Sequence, residues 1–299
     1  MHVLLLVIYY PPDPDPTGHL MHQVAAGLVS RGHAATVVTT PADDPCDGGG
    51  VGREERDGVA VVRTPVLAKQ RKGSLAERGL TYGSFSLLAG VLPRLGVARP
   101  DVVLATNGGF ATGLSAWFAG VGRAPAVFSV QDLYPDAAVA AGKLRPGPLL
   151  SVLRGVERAM YRLADRIVVN APSARRRLID KGVGEAKVAV IPNFVDVDVV
   201  RPQARRNEFS AEHGLDDAFV VGYSGNVGWA YDWPLVLDVA DRLRAPAAPR
   251  WRRRSTRSWP AGGRCGPWRS RTRTWPTSSN TKGAGWSRRR AICRRRPTP

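Results

Sequence analysis

The sequence predicts an α/β fold built on a doubly wound parallel sheet. Over residues 1–200, short apolar runs alternate with stretches of helical period, which is the order that repeated strand–helix–strand units produce. The first run, His2–Ile8, is apolar almost throughout, as a parallel strand covered on both faces should be. Right-handed crossovers are expected to join these units into one Rossmann-like domain.

Each predicted strand is an apolar run bounded by turn residues. About seven strands are expected, at His2–Ile8, Ala35–Thr39, Val59–Thr64, Val102–Thr106, Ala126–Val130, Arg166–Asn170 and from Lys187 onward. Helices are predicted at His19–Ser30, Tyr82–Leu95, up to Gly120, at Pro148–Leu163 and at Pro172–Lys181. The polar, glycine-rich stretch Asp43–Gly58 is predicted to be a surface loop.

A bridge between two domains is predicted at Lys187–Pro202. Its β-branched residues favour a buried strand that leaves the sheet at Pro192-Asn193, and the following Arg201-Pro202 pair excludes a helix. A second apolar strand, Ala218–Gly225, and an amphipathic helix, Leu235–Leu243, indicate that another sheet begins. The predicted organisation is an N-terminal domain at 1–200, the start of a second domain at 201–244, and a tail at 245–299.

The net charge of +18 is concentrated in the tail. Residues 245–299 contain 16 Lys or Arg and no Asp or Glu, whereas residues 1–244 contain 27 basic and 25 acidic residues. The main body is therefore near neutral, which does not favour a polyanionic partner. The tail has no hydrophobic period and cannot bury a core, so it is expected to be disordered.

Cysteine spacing and apolar segments indicate a reduced, cytoplasmic setting. Cys46, Cys265 and Cys293 are far apart, without disulfide or metal-ligand spacing. No segment is long and apolar enough to span a bilayer, and Val3–Ile8 is too short for the core of a signal peptide. The basic cluster Lys69–Gly73 is interpreted either as a solvated loop or as a foot on the inner face of the cell membrane, where anionic lipid attracts cations.

Candidate binding residues follow the first predicted strand, because open parallel sheets bind ligands at the carboxyl ends of their strands. Thr17, Gly18 and His19 begin a helix, where Gly18 would let an anionic group approach N–H donors; a turn glycine is an equally good interpretation. Neither G-x-G-x-x-G nor G-x-x-x-x-G-K-[ST] is present, which argues against nicotinamide and P-loop nucleotide binding. His19 and His22 lie three residues apart, but no third ligand is near, so no metal site is predicted.

Polar residues also follow later strands. Asp132, directly after the fifth strand, is a candidate general base or sugar ligand, whereas Asp136 is interpreted first as a helix-start residue. Asn107 and Asn193 are interpreted equally well as hydrogen-bond donors to a ligand or as turn formers. The predicted substrate-binding residues are Thr17, Gly18, His19, Asn107, Gly108, Gln131, Tyr134 and Asn193.

Five segments, in order, resemble family 4 glycosyltransferases. They are Pro11–Gly18, Arg31–His33, Ser129–Asp136, Ile191–Asn193 with Asp196, and Gly222–Asn226. The resemblance covers residues 1–244 and is closest to polysaccharide-assembly transferases of the colanic acid and O-antigen type. It implies a GT-B fold of two Rossmann-like domains, with the acceptor on the first domain and a nucleotide-diphosphate sugar mainly on the second. It also implies that no metal or other cofactor is needed.

The resemblance assigns roles to individual residues. Gly18 would face the donor diphosphate and the acceptor. Asp132 would lie where many relatives place an active-site histidine, which makes it the candidate catalytic residue. Ser224, Gly225 and Asn226 would open the donor site. The predicted function is sugar transfer from a nucleotide-diphosphate sugar to a saccharide or lipid-linked acceptor in cell-surface polysaccharide biosynthesis.

The resemblance stops after Asn226. The basic residues that bind the donor phosphates, and the E-x7-E pattern whose glutamates hold sugar and ribose, have no counterpart there. The tail is rich in the residues that are encoded when GC-rich codons are read in a wrong frame. The second domain is therefore expected to be truncated or to be encoded out of frame. Little or no sugar transfer by this chain is expected. The alternative function is a non-catalytic binder of nucleic acid or acidic surfaces through the tail, although no specific nucleic acid is expected.

Overall fold

The structure is a computed structural model that describes residues 1–42, 50–67, 75–96, 99–107, 111–217, 219–223 and 232–243. The chain divides into two units, residues 1–219 and residues 220–299. In the second unit the described residues are 220–223 and 232–243.

The described part of the first unit is built on an eight-stranded sheet. The strands are β1 (His2–Leu6), β2 (Ala34–Thr39), β3 (Gly52–Arg56), β4 (Val59–Arg63), β5 (Val102–Thr106), β6 (Ala126–Val130), β7 (Arg166–Val169) and β8 (Val188–Val190). Their order across the sheet is β3-β4-β2-β1-β5-β6-β7-β8. All neighbours are parallel except β3, which pairs antiparallel with β4.

Helices connect the parallel strands. In the first unit they are α1 (Pro16–Ser30), α2 (Leu75–Gly96), α3 (Thr112–Gly120), α4 (Asp136–Ala140), α5 (Pro148–Leu163), α6 (Pro172–Asp180) and α7 (Glu208–Glu212), and a 3-10 turn covers Glu185–Lys187. The second unit contains α8 (Trp233–Arg242). The predicted α/β class, with one Rossmann-like, doubly wound domain, is confirmed for the described residues of the first unit.

The core lies on both faces of the sheet. On one face, Leu4 and Leu6 of β1 pack in a cluster with buried residues of α2, α3, α5 and α6. On the other face, Val3 and Leu5 of β1 pack with Met21 and Ala25 of α1. Every residue of β1 after His2 is buried, which explains why this strand is apolar throughout rather than alternating.

The prediction of a surface loop at Asp43–Gly58 was wrong for residues 52–56, which form β3. The strand is polar because it lies at the edge of the sheet, where one partner strand suffices and most of its side chains meet solvent. Its hairpin turn is Asp57-Gly58, with φ of 52° and 75°. An Asp-Gly pair favours this left-handed turn, and it is the sequence feature from which a hairpin could have been predicted.

The strand predicted to leave the sheet at Pro192-Asn193 is present as β8, but the prediction that this strand is buried was wrong for most of its length. The strand β8 ends at Val190, and of its three residues only Val188 is buried. From Ile191 to Pro202 every residue is exposed. The physical reason is position, because among the described residues β8 is the outermost strand of the sheet and pairs on one side, with β7.

The second predicted sheet does not begin at Ala218–Gly225 in the described residues. Residues 219–223 form no strand, and Phe219 is 81% exposed. A strand needs a partner for its backbone groups, and this segment pairs with none in the described part of the chain. The helix predicted at Leu235–Leu243 is confirmed as α8, which Asp232 caps by accepting a hydrogen bond from the N–H of Leu235 at 3.1 Å. The tail at 245–299 lies outside the described residues.

Candidate functional site

The candidate site lies where the order of the strands reverses. From β1 the sheet grows through β2 and β4 in one direction and through β5 to β8 in the other. Helix α1 leaves β1 on one face, and α3 leaves β5 on the opposite face. The carboxyl ends of β1 and β5 are therefore the sides of a crevice, which is the usual ligand site of an open parallel sheet.

The loop after β1 is packed tightly against the start of α1. A Cβ added to Gly18 would lie 2.5 Å from the carbonyl oxygen of Tyr9, so only glycine fits there. The N–H of Gly18 donates to Oδ1 of the N-cap residue Asp15 at 2.9 Å. This donor is therefore not free for an anionic ligand, and close packing is the established reason for the glycine. Thr17 is half-buried and His19 is exposed on the same turn.

A buried arginine holds this loop from the side of β4. One guanidinium nitrogen of Arg63 donates to the carbonyl of Pro11 at 2.5 Å, and another donates to the carbonyl of Thr40 at 3.1 Å. The same side chain, fully buried, is paired with Glu54 of β3 at 2.8 Å. The sequence analysis did not single out Arg63. An arginine that ends an otherwise apolar strand was the signal from which a buried, hydrogen-bonded side chain could have been predicted.

A second set of contacts holds the loop from α1. The Tyr10 hydroxyl lies 2.8 Å from Nδ1 of His22, and Nε2 of His22 lies 2.9 Å from Oδ2 of Asp57 in the hairpin turn. Burial raises the pKa of the Tyr10 phenol. His22 thus links the loop to the β3–β4 hairpin. The residues that the structure describes contain no group of three or more potential metal ligands.

Three amide side chains fix the loop that follows β6. Asn107, at the end of β5, accepts a hydrogen bond from the N–H of Gln131 at 2.8 Å through Oδ1 and donates through Nδ2 to the carbonyl of Asp132. Asn170, at the end of β7, donates through Nδ2 to the carbonyl of Gln131 at 3.1 Å. The Gln131 side chain donates to the hydroxyl of Ser129 at 3.1 Å. The backbone of the loop is therefore held from both neighbouring strand ends.

The structure brings the predicted residues Asn107, Gln131 and Asp132 into contact, and it adds Asn170, which the sequence analysis missed. Asn170 follows an apolar strand in the same way as Asn107 and Asn193, so the same rule would have found it.

Asp132 is the available carboxylate of this loop. It is exposed, and in the part of the chain that the structure describes its carboxylate forms no hydrogen bond or ion pair. Tyr134, two residues further on, is 44% exposed. A carboxylate and an aromatic ring are thus presented by a loop whose backbone is fixed.

Asp136, unlike Asp132, forms an ion pair. It is the first residue of α4, as its helix-start interpretation requires, and its carboxylate pairs with Nζ of Lys181 at 2.8 Å. Lys181 also contacts the buried Glu157 at 2.5 Å, and Glu157 accepts from the hydroxyl of Tyr161 at 3.0 Å. Burial, with the Glu157 charge beside it, raises the pKa of the Tyr161 phenol. This cluster ties α4 to α5 and α6.

The remaining predicted residues are not joined to this site. Asn193 is exposed beyond β8, two strands away from β6. Several predicted residues lie outside the described residues: Gly108, the basic cluster at Lys69–Gly73, and the residues predicted to bind the sugar donor, Ser224, Gly225 and Asn226. No helix in the described ranges combines the length and apolar character needed to cross a bilayer.

The fold and the crevice define a Rossmann-like ligand-binding domain, and comparison with known proteins identifies its family. Residues 17–193 match the glycosyl transferase 4-like domain, which accounts for more than half of the chain. The chain belongs to this family.

Two relatives set the scale of the similarity. The chain is 26% identical over 260 residues to the colanic acid biosynthesis glycosyl transferase WcaI of Escherichia coli K12, a match that covers 82% of this chain and 63% of WcaI. The crystal structure of HepE from Anabaena with UDP and glucose superimposes with a TM-score of 0.52 at 15% identity, covering 81% of this chain and 58% of HepE. HepE with UDP alone gives a TM-score of 0.54 at 14% identity, with the same coverage. The chain thus spans about three fifths of the length of these proteins.

Proposed function

We propose that this chain takes part in the transfer of a sugar from a nucleotide-diphosphate sugar to a saccharide or lipid-linked acceptor in the biosynthesis of a cell-surface polysaccharide, on the cytoplasmic face of the membrane. The observation that carries the proposal is the fixed loop after β6. Asn107 and Asn170, at the ends of the two strands that flank β6, hold its backbone. The loop exposes Asp132 and Tyr134 at the ligand-binding edge of the sheet. Membership of the glycosyl transferase 4-like family supports it.

The exposed pair suits a sugar hydroxyl. A carboxylate accepts hydrogen bonds from hydroxyl groups and removes a proton from an attacking hydroxyl when the two lie within hydrogen-bonding reach. An aromatic ring offers an apolar face to the C–H groups of a sugar ring. We assign Asp132 as the candidate catalytic residue, and Tyr134 with Asn107 and Gln131 as acceptor-side residues.

The donor is proposed to be a nucleotide-diphosphate sugar. The solved structures of HepE contain UDP, with or without glucose, and the predicted donor residues of this chain are Ser224, Gly225 and Asn226. A diphosphate leaving group is stabilised by helix N-termini and basic side chains aimed at its developing charge. Transfer without a metal or other cofactor stays a prediction.

A glycan array tests the acceptor side without requiring turnover. The full chain, labelled with a fluorophore, is applied to neutral bacterial saccharides at a salt concentration that screens the basic tail. Retention on a subset of saccharides is expected. Asp132→Asn should reduce it roughly tenfold or more, because a hydrogen bond to a charged group contributes about 1.5–3 kcal/mol.

The matched control is Asp180→Asn, which neutralises an exposed carboxylate at the end of α6. It should leave retention unchanged. Equal retention by the wild type, Asp132→Asn and Asp180→Asn would contradict the proposed role of Asp132, and no retention on any saccharide would contradict an acceptor site in this domain.

Turnover is a separate measurement. The chain is incubated with radiolabelled UDP- and GDP-sugars and with bacterial membranes as the source of acceptors, and label in the lipid fraction is counted. Little or no transfer is expected, since the sequence after Asn226 lacks the donor-phosphate and E-x7-E residues. Transfer of label would overturn that expectation and would strengthen the proposed function. The nucleic-acid alternative depends on residues 245–299, outside the described part of the chain, so no second function is proposed.

A further inference from the structure

Helix α2 carries apolar side chains on its inner side and on its outer side. Phe85 and Ala89 are buried in the core cluster. On the opposite side of the helix, Leu80, Leu87 and Leu95 are 53%, 68% and 77% exposed. A helix that is apolar on all sides is normally covered on all sides, so the outer side of α2 needs a partner that the described part of this chain does not supply.

The outer side of α2 also lacks the charges of a solvated helix face. Between Leu80 and Leu95 the sequence contains one charged residue, Arg94. Its guanidinium donates to the carbonyls of Phe118 and Val121 at 2.8 and 3.2 Å, and it lies 5.3 Å from the centre of the Phe118 ring. Phe118 and Val121, at the end of α3, are themselves partly exposed, and they extend the apolar surface. Contiguous apolar surfaces of this kind mark interaction sites.

Every fourth residue on the outer side of α2 belongs to one ridge, formed by Gly79, Gly83, Leu87, Val91 and Leu95. The first half of the ridge consists of glycines and the second half of large aliphatic side chains. Both glycines are exposed, and a Cβ added to either would meet nothing within 4 Å in the described residues outside the helix. Because glycine weakens a helix, packing within one copy of the chain gives no reason for this pair.

The ridge is complementary to a second copy of itself. If two α2 helices pack antiparallel about a two-fold axis at Leu87, Gly83 lies opposite the partner's Val91, and Gly79 lies opposite the partner's Leu95. The glycines of each helix then leave space for the aliphatic side chains of the other, and the two leucines at position 87 meet at the axis. We propose that the outer side of α2 is the contact surface of a two-fold symmetric dimer of this chain. The dimer is independent of the proposed function, since self-association is measured without a sugar donor or acceptor.

The size of the surface agrees with a dimer. A standard interface covers about 800 Å² on each partner, which is a patch about 32 Å across. With 22 residues, α2 is about 33 Å long. Phe118 broadens the surface on one side of the helix. Leu67, whose N–H donates to the hydroxyl of Ser84 at 3.1 Å and whose side chain is 80% exposed, broadens it on the other.

A lipid bilayer matches this surface less well than a second copy does. An interfacial helix has a polar, cation-rich face opposite its apolar face, whereas the opposite face of α2 is buried in the core. A bilayer also gives no reason for the two exposed glycines, because fluid lipid does not need a recess of fixed shape.

Disulfide cross-linking tests the position of the axis. In the full chain, Cys46, Cys265 and Cys293 are replaced by Ser, and Leu87→Cys is compared with Val152→Cys, an exposed aliphatic position on α5. The variants are oxidised with copper phenanthroline at a salt concentration that screens the basic tail. Leu87→Cys should form a covalent dimer on a non-reducing gel, and Val152→Cys should stay monomeric. Equal cross-linking at the two positions, or none at position 87, would overturn the proposal.

Sedimentation equilibrium of Gly83→Met tests the close approach of the two helices. Methionine is a better helix former than glycine, so the variant helix should be no less stable, but its side chain occupies the space proposed for the partner's Val91. The dissociation constant of the dimer should therefore rise at least roughly tenfold. The matched control is Gly155→Met on α5, where the glycine is also exposed with nothing within 4 Å of an added Cβ. The control should dimerise like the wild type.

Three results would contradict the dimer: a wild-type chain that is monomeric at every concentration measured, equal dissociation constants for Gly83→Met and Gly155→Met, or a monomer that binds lipid at position 87. The last is measured with an environment-sensitive dye on Leu87→Cys and vesicles of phosphatidylcholine and phosphatidylglycerol. Leu87→Gln is a second variant in case circular dichroism shows that Gly83→Met is unfolded. It removes the apolar contact at the axis and should also weaken the dimer at least roughly tenfold.

Discussion

The side chain of Asn107 both accepts and donates a hydrogen bond to the backbone of the loop after β6. Its amide oxygen accepts from the N–H of Gln131, and its amide nitrogen donates to the carbonyl of Asp132. An aspartate offers only acceptors when ionised, and a hydroxyl cannot reach both groups with the same planar geometry. With Asn170 bonded to the Gln131 carbonyl, the loop that carries Asp132 needs no regular secondary structure to stay in place.

Arg63 holds the loop after β1 from the side of β4 through buried hydrogen bonds. Replacing it by Met removes the donors of the Pro11 and Thr40 carbonyls and leaves Glu54 without its partner. Breaking a buried ion pair from one side costs about 3 kcal/mol or more, so the Arg63→Met variant should unfold at clearly lower urea concentration.

The control for this prediction is Arg53→Met on the edge strand β3. Arg53 is exposed, and its guanidinium makes one long contact, 3.4 Å, with the carbonyl of Gly96. Its loss should change the free energy of unfolding by no more than about 0.5 kcal/mol. Similar urea midpoints for the two variants would show that Arg63 does not stabilise the loop as described.

At the scale of the element, helix α1 contains two glycines with opposite expected effects. Gly18 lies in the first turn against the Tyr9 backbone, where a Cβ would be 2.5 Å from the carbonyl oxygen. Gly27 lies near the other end of the helix, where a Cβ would meet only the flexible end of Arg31, at 3.2 Å.

Gly18→Ala should therefore lower the free energy of unfolding by about 1–3 kcal/mol, because the backbone must move to relieve the overlap. Gly27→Ala should raise it by up to about 1 kcal/mol, since alanine is the better helix former. Thermal unfolding followed by circular dichroism measures both. A stabilised Gly18→Ala variant would contradict the close packing of α1 on the loop.

Helices α4, α5 and α6 are joined through one lysine. Lys181 follows α6 and contacts both Asp136 of α4 and Glu157 of α5. Because Glu157 is buried, it needs a partner, and the Tyr161 hydroxyl supplies a second one. The short helix α4, whose buried residue is Ala138, is thereby held beside the loop that presents Asp132.

At the scale of the whole molecule, two buried tyrosines predict a loss of stability at high pH. The pKa of Tyr10 and of Tyr161 is raised above the ordinary value of 10.0 in the folded chain. Above pH 10 the unfolded chain releases these protons and the folded chain retains them, so the stability present below pH 10 falls as the pH rises. Each group contributes a slope of about 1.4 kcal/mol per pH unit. Lys187, whose pKa burial lowers, acts in the opposite direction.

Urea unfolding at about pH 9 and about pH 11 measures this effect, and the Tyr10→Phe, Tyr161→Phe double variant should lose much less stability between the two. An equal loss in the wild type and the double variant would show that other groups are responsible.

The fold of the first unit was largely predictable because its strands are buried on both faces. A strand covered on both sides must be apolar throughout, and glycine and proline mark where it ends, as at β1, β5 and β6. The errors occurred at the two edges of the sheet. There a strand such as β3 is polar because solvent covers it, and β8, predicted to be buried, buries only Val188 of its three residues because it is the outermost strand of the described sheet.

The candidate site was predictable in part. The rule that ligands bind at strand ends pointed to Asn107, Gln131 and Asp132. The same rule does not distinguish an exposed carboxylate from a paired one. Asp132 and Asp136 are four residues apart and chemically identical, and their difference depends on Lys181, which is distant in sequence.

By itself, the sequence determined the α/β class, the positions of the central strands and the resemblance to family 4 glycosyltransferases, because apolar runs, turn residues and short motifs are local properties of the chain. The tertiary structure decided which polar residues meet: Arg63 with Pro11, Asn107 and Asn170 with the loop after β6, and Lys181 with Asp136. Those contacts join residues far apart in the chain, and their energy depends on distance and burial, which no local pattern encodes.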